Sequence, residues 1–267
     1  MSVKLLKYEF RAMGRTLLPI YAAVIILGFV AALFTRINPF NDFSNFNVVK
    51  VLFIVALILY GGFVISAMVL SITMSVTRFR KGLLEAEGYL MNTLPVSQSQ
   101  NILSKLITAC VYQILGTLAA FISGLFVVFI GAGSHIKFSD LIHQISLALK
   151  MYGGNIALYG VEMIILGIIS LVCLNLMFYA SMSIGHSFNS KKIFKSVCAF
   201  IGLYILTQII NTTYINIVFM IKAGDNMTNN IYIPQPYIWA VIILEAFYAV
   251  AYFITTHYFM KNRLNLQ

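Results

Sequence analysis

Long apolar runs alternate with short polar segments from the first turn of the chain to the last. Predominantly apolar stretches fall at 17–35, 51–76, 103–131, 158–184, 193–221 and 237–260. Each matches or exceeds the roughly 20 residues that a helix needs to cross a bilayer core. None shows the strict alternation of a barrel strand, so the pattern predicts six transmembrane helices and an all-α fold. Together the spans use most of the chain, which leaves a single transmembrane domain over 1–267 and no separate soluble domain.

Composition agrees with this pattern. Hydrophobic residues make up 60% of the chain and charged residues 10%, against about 25% charged in ordinary soluble domains. The mean hydropathy is +0.90. A soluble fold of this size has too little interior to hide that surface. The basic start followed by an apolar run resembles a signal peptide, but the run is too long and ends in Phe34, Thr35 and Arg36 without a small-x-small cleavage site. It is read as the first span. Cys110, Cys173 and Cys198 all lie within predicted spans and form no CxxC or Cys/His cluster, so neither a disulfide framework nor a zinc site is indicated.

The net charge of +10 sorts by side of the membrane. With the N-terminus in the cytoplasm, Lys4, Lys7, Arg11, Arg15, Arg78, Arg80, Lys81, Lys105, Lys191, Lys192, Lys195, Lys261 and Arg263 are inside. Only Arg36, Lys50, Lys137, Lys150 and Lys222 are outside. This positive-inside bias predicts a multi-pass protein with both termini cytoplasmic, and it explains the basic balance without nucleic acid. An even number of spans is needed for both basic ends to share one side.

Several segments carry chemistry beyond spanning. In residues 1–16, Leu6, Phe10 and Met13 share one side of a helix while Lys4, Lys7, Arg11 and Arg15 run along another. That is an amphipathic interfacial helix, either a plain anchor or a lever into the first span. The inner segment 77–102 is more structured than a connector requires: two basic clusters surround Glu85 and Glu87, a short helix is expected over 82–90, the Thr93-Leu94-Pro95 turn breaks it, and Ser97 is placed to cap the next helix. Within the spans, Glu162 lies near the outer end of the fourth, and Glu245 near mid-depth of the sixth with Tyr248 and Tyr252 on its face as hydrogen-bond donors. A charge at mid-depth costs about 2.5–3.5 kcal/mol on insertion scales, so Glu245 is expected to face protein, water or a proton. In the fifth span, Gln208, Asn211, Thr212 and Asn216 form a polar stripe that either packs a helix or lines a path. Gly28, Ala31 and Ala32 in the first span, and Gly61 and Gly62 in the second, allow close helix contact.

The run Glu87-Gly88-Tyr89-Leu90, Thr93-Leu94-Pro95-Val96-Ser97 and Ser104-Lys105-Leu106, with the opening Lys4-Leu5-Leu6-Lys7-Tyr8-Glu9-Phe10-Arg11, resembles the permease subunits of ABC-2 type ABC transporters, small bacterial proteins paired with a separately encoded ATPase. The resemblance implies a coupling helix around 80–89, with Arg80, Lys81, Glu85, Glu87, Gly88 and Tyr89 seated in a groove of the ATPase. It implies a second contact at 185–192, and a second permease chain, identical or paralogous, enclosing the path in the bacterial cytoplasmic membrane. The chain has no GxxxxGK[ST] loop, so ATP and Mg are expected on the partner ATPase and no cofactor, metal or catalytic residue on this chain. Export of a peptide, drug or other amphipathic substrate follows from the resemblance. Two alternatives stay open: an ion-coupled carrier using Glu162 and Glu245, and a peptide-sensing immunity protein. A membrane enzyme is disfavoured, because His135, His143, His186 and His257 are scattered and lack HExxH spacing.

Overall fold

A computed structural model of the chain describes residues 2–37, 48–85, 97–131, 139, 142–144, 146–147, 156–188, 190–224 and 235–262. Six long helices carry the fold: α1 (Ser2–Ile37), α2 (Val48–Phe79), α3 (Gln98–Gly131), α4 (Ile156–His186), α5 (Lys192–Gly224) and α6 (Gln235–Asn262). No strand occurs among the described residues. All six are long and apolar enough to cross a membrane, and the shortest spanning stretch has 26 residues. At about 1.5 Å per residue that is about 39 Å, more than the ~30 Å bilayer core. Every predicted span is matched by one of these helices.

The helices extend beyond the apolar runs that predict them. α1 is continuous from Ser2, so the basic opening and the first span are one rod. Pro19 sits inside it, which leaves the Arg15 carbonyl without its helical donor. Its packed side is regular: Glu9, Met13, Leu17, Tyr21, Val24, Gly28, Ala31 and Thr35 are buried at three- and four-residue steps, with Ala32 buried beside Ala31. Lys4, Lys7, Arg11 and Arg15 are exposed. Of the three residues expected on the apolar side of the opening, Met13 is buried and Leu6 and Phe10 are half-buried. The buried carboxylate of Glu9 is an addition that polarity alone gives no reason to expect.

The chain divides into two compact units. One comprises Val3–Ser75 and Ile107–Ser146. Its core is Met13, Leu17, Tyr21, Tyr112 and Ala119, with Phe10, Ile25 and Met74 packed against it. Two phenols cross-link α1 and α3: Tyr21 donates to the Tyr112 carbonyl at 2.9 Å, and Tyr112 donates to the Phe10 carbonyl at 2.8 Å. Gly14 makes the second bond accessible, since a Cβ there would lie 2.5 Å from the Tyr112 hydroxyl. Gly28 lets α1 meet α3 at Ser123, where a Cβ would come within 2.5 Å of the serine Cβ. Ser123 also bonds Tyr60 of α2 at 2.6 Å. Gly61 and Gly62 behave differently: among the described residues nothing lies within 4 Å of a Cβ at either, so the close contact allowed there is not made by them.

The other unit comprises Met1–Ser2, Val76–Leu106 and Leu147–Gln267. In it α4 packs along both α5 and α6. The interior of α4 carries Cys173, Asn175, Leu176, Met177, Tyr179, Ala180, Ser181 and Ser183, a mixture of small and polar groups. Without water, polar side chains in such helices turn to their own backbone. Asn175 donates to the Leu171 carbonyl and Ser181 to the Phe178 carbonyl, each at 2.8 Å. Phe178 stacks on Phe200 of α5 with ring centroids 4.6 Å apart.

Candidate functional site

The candidate coupling segment sits at one end of this second unit, where α2 stops, α3 starts, α4 ends and α5 begins. Arg78, Arg80, Lys81, Lys105, Lys191, Lys192 and Lys195 all belong to this end. Of the short helix expected over 82–90, the structure describes only 82–85. α2 runs on and widens into a π-helical turn, Arg80–Leu84, closed by the Glu85 amide donating to the Arg80 carbonyl at 3.1 Å. Glu85 is extended and ends the helix. Glu87, Gly88 and Tyr89 lie outside the described residues.

Each anchor of the turn has a physical cause. Leu83 and Leu84 are buried. Phe79, one residue before the turn, stacks face to face on Tyr179 of α4 at 4.0 Å and 6°. Gly82 lies so close to Lys105 of α3 that a Cβ would be 2.8 Å from its Nζ. Lys105 is itself buried. Arg80 and Glu85 pair at 3.0 Å on the surface, a contact worth about 0–1 kcal/mol. Lys81 is exposed. The next helix starts as its sequence predicts: the Gln100 amide donates to the Ser97 hydroxyl at 3.4 Å, a long cap, and to the Ser97 carbonyl at 3.0 Å.

The turn between α4 and α5 is tight. Lys191 has φ 51°, in the left-handed region. Gly185 of α4 is pressed against Ser196 of α5, backbone and hydroxyl alike, with no room for a side chain. Lys195 lies over the Phe188 ring at 4.2 Å. His186 is buried with Nδ1 against the Met182 carbonyl at 2.9 Å.

Midway along the same unit, a polar seam joins α4, α5 and α6. Glu245 is half-buried and meets the Cys173 thiol. Tyr248 and Tyr252 do not serve it as the sequence suggests. Tyr248 donates to Asn211 Oδ1 at 3.2 Å. Thr207 spends its own proton on the Leu203 carbonyl at 2.6 Å, so Tyr252 donates to Thr207 at 2.8 Å. Both phenol protons are used on α5. Cys173 and Thr207 are therefore parts of the seam that a search for charged residues misses.

The expected polar stripe on α5 splits in two. Asn211 turns inward to Tyr248, while Gln208, Thr212 and Asn216 are exposed. Gln208 and Thr212 line a shallow open groove with Tyr204, Ile205, Ile209 and Thr213. In α4, Glu162 is 1% exposed and neither carboxylate oxygen has a hydrogen-bond partner among the described residues. Among the described residues, no group of three or more His, Cys, Asp or Glu is placed to hold a metal ion.

No protein-family model, curated protein or solved structure matches the chain.

Proposed function

We propose that the chain is the permease subunit of an ATP-driven ABC-2 type transporter. It works in the bacterial cytoplasmic membrane as one of two permease chains, with ATP hydrolysed on separate ATPase subunits. Both termini face the cytoplasm, and the exported substrate is hydrophobic or amphipathic. The observation that carries this reading is the basic end of the second unit. A connector between spans has no need of a π-turn stacked on α4 and seated on a buried lysine of α3. A surface that must receive force from a partner does. The motif run through Glu87, Gly88 and Tyr89 follows this turn directly in sequence.

Coupling then follows a simple course. Closure of the ATPase pair on ATP pushes the segment from Arg80 to Tyr89 and the turn before α5. α2, α4 and α5 carry that push into the membrane. The uncovered polar face of α5 is where the second permease chain would sit, since exposed glutamine and asparagine favour a protein neighbour over lipid.

The test is charge reversal. Purified from its native membranes, the complex hydrolyses ATP. Glu85→Lys with Glu87→Lys lowers that activity by at least tenfold and releases the ATPase from the chain. Full assembly and activity in the double variant would remove the coupling assignment.

An ion-coupled carrier is the second reading, favoured by Glu162, whose buried carboxylate has no hydrogen-bond partner among the described residues. Transport that persists after ATP depletion and stops when ion gradients collapse would select it.

A further inference from the structure

We propose that Lys105 is a positioning residue that locks the Arg80–Leu84 turn to α3, so that this turn and the α4–α5 turn form one rigid plate instead of two independent arms. The consequence for coupling rests on the permease reading; the rigidity itself does not.

The argument starts at the end of α2. A helix end leaves its last carbonyls without intrahelical donors, and the aligned peptide dipoles make that end negative. Here the end is widened into a π-turn and closed at Glu85. Lys105 brings an ammonium group to this place, with Nζ 2.8 Å and Cε 3.3 Å from where a Gly82 Cβ would stand. The lysine is only 6% exposed. A cation that deep is stable only among acceptors, and the closeness of Nζ to Gly82 sets it against the end of α2. Gly82 is the condition for the approach, because a larger residue would occupy the ammonium's position.

From there the contacts run on without a gap. Phe79 continues the same backbone and stacks on Tyr179 of α4. Two turns further along α4, Gly185 is wedged on Ser196 of α5. The links are a buried charge, an aromatic stack and a glycine contact, none of which slides easily. A displacement of the Arg80–Leu84 turn must therefore move the start of α5 with it. A flexible hinge on either side of α4 would instead let one turn move alone.

Spin labels test this on the whole chain in lipid nanodiscs. The background is Cys198→Ser, since Cys110 and Cys173 are buried. Lys81→Cys and Ser190→Cys place one label on each turn, both at exposed positions. A control pair, Ile205→Cys and Ile243→Cys, reports on α5 and α6 away from the plate. Double electron–electron resonance should give one narrow distance for the first pair. Lys105→Met should at least double its width, and Gly82→Val should do the same by displacing the ammonium group. The control pair should stay unchanged in both. A first-pair width unaffected by either variant overturns the proposal. So does equal broadening of both pairs, which would mean loss of fold and not loss of a local lock. Because the distance is read without any ATPase, failure to recover an ATPase would sink the permease reading and leave this result standing.

Discussion

At the scale of single residues, glycine and serine decide how closely these helices approach. Gly28 and Ser123 form one such contact, and Gly61 faces open space. Gly28→Val should lower the thermal stability of the detergent-solubilised chain by about 1–3 kcal/mol, the usual cost of overpacking a tight contact. Gly61→Val should change it by less than about 0.5 kcal/mol, as substitutions away from packed features do. Equal losses at both positions would mean that the α1–α3 contact is not as described. The sequence places both glycines inside spans but does not say which meets a neighbour. That depends on which face α3 turns to α1, a fact about residues about 95 positions apart. The partner of Glu245 was hidden for a related reason. Tyr248 and Tyr252 share its helix face, yet their protons go to Asn211 and Thr207 on the facing helix.

At the scale of elements, the six helices were legible because apolar length is a local property, and lipid demands it of each span separately. The cap at Ser97 was legible too, since a cap involves neighbours in sequence. The π-turn was not. It depends on Phe79 finding Tyr179 and Gly82 finding Lys105, both distant in the chain. The α5 stripe shows the limit of periodicity. At about 100° per residue, Gln208, Asn211, Thr212 and Asn216 spread over about 140°, enough to cross from a packed face to an uncovered one. Cys198 lies within about 40° of Thr212 and Asn216 on the same count, and it is the exposed cysteine of the three. Mild oxidation of membranes holding the chain should therefore give a Cys198-linked dimer, absent in Cys198→Ser and reduced at least threefold by Gln208→Leu with Thr212→Val. A chain that stays uncrosslinked while Cys198 reacts freely with maleimide would argue against α5 as the face shared between copies.

At the scale of the whole molecule, the chain spends most of its length on helices long and apolar enough to span a membrane, and one of its two units holds both the basic end and the Asn211–Tyr248 and Thr207–Tyr252 seam. Such a protein has its apolar surface met by lipid, and the proposed coupling surface is its basic end. The buried Lys105, the stacked Phe79 and the wedged Gly185 make that end stiff, which is what a surface under load requires. The proposed ATPase partner rests on the motif run through Glu87, Gly88 and Tyr89, because a subunit encoded elsewhere would leave no residue of its own in this chain. Native mass spectrometry of the complex, released from its own membranes in mild detergent, tests the central claim most directly. The permease reading predicts two copies of the 29.9 kDa chain, or one copy with a paralogue, bound to a pair of subunits carrying a Walker-type nucleotide site. A chain recovered alone, or paired without any ATPase under conditions that keep other membrane complexes intact, would contradict it.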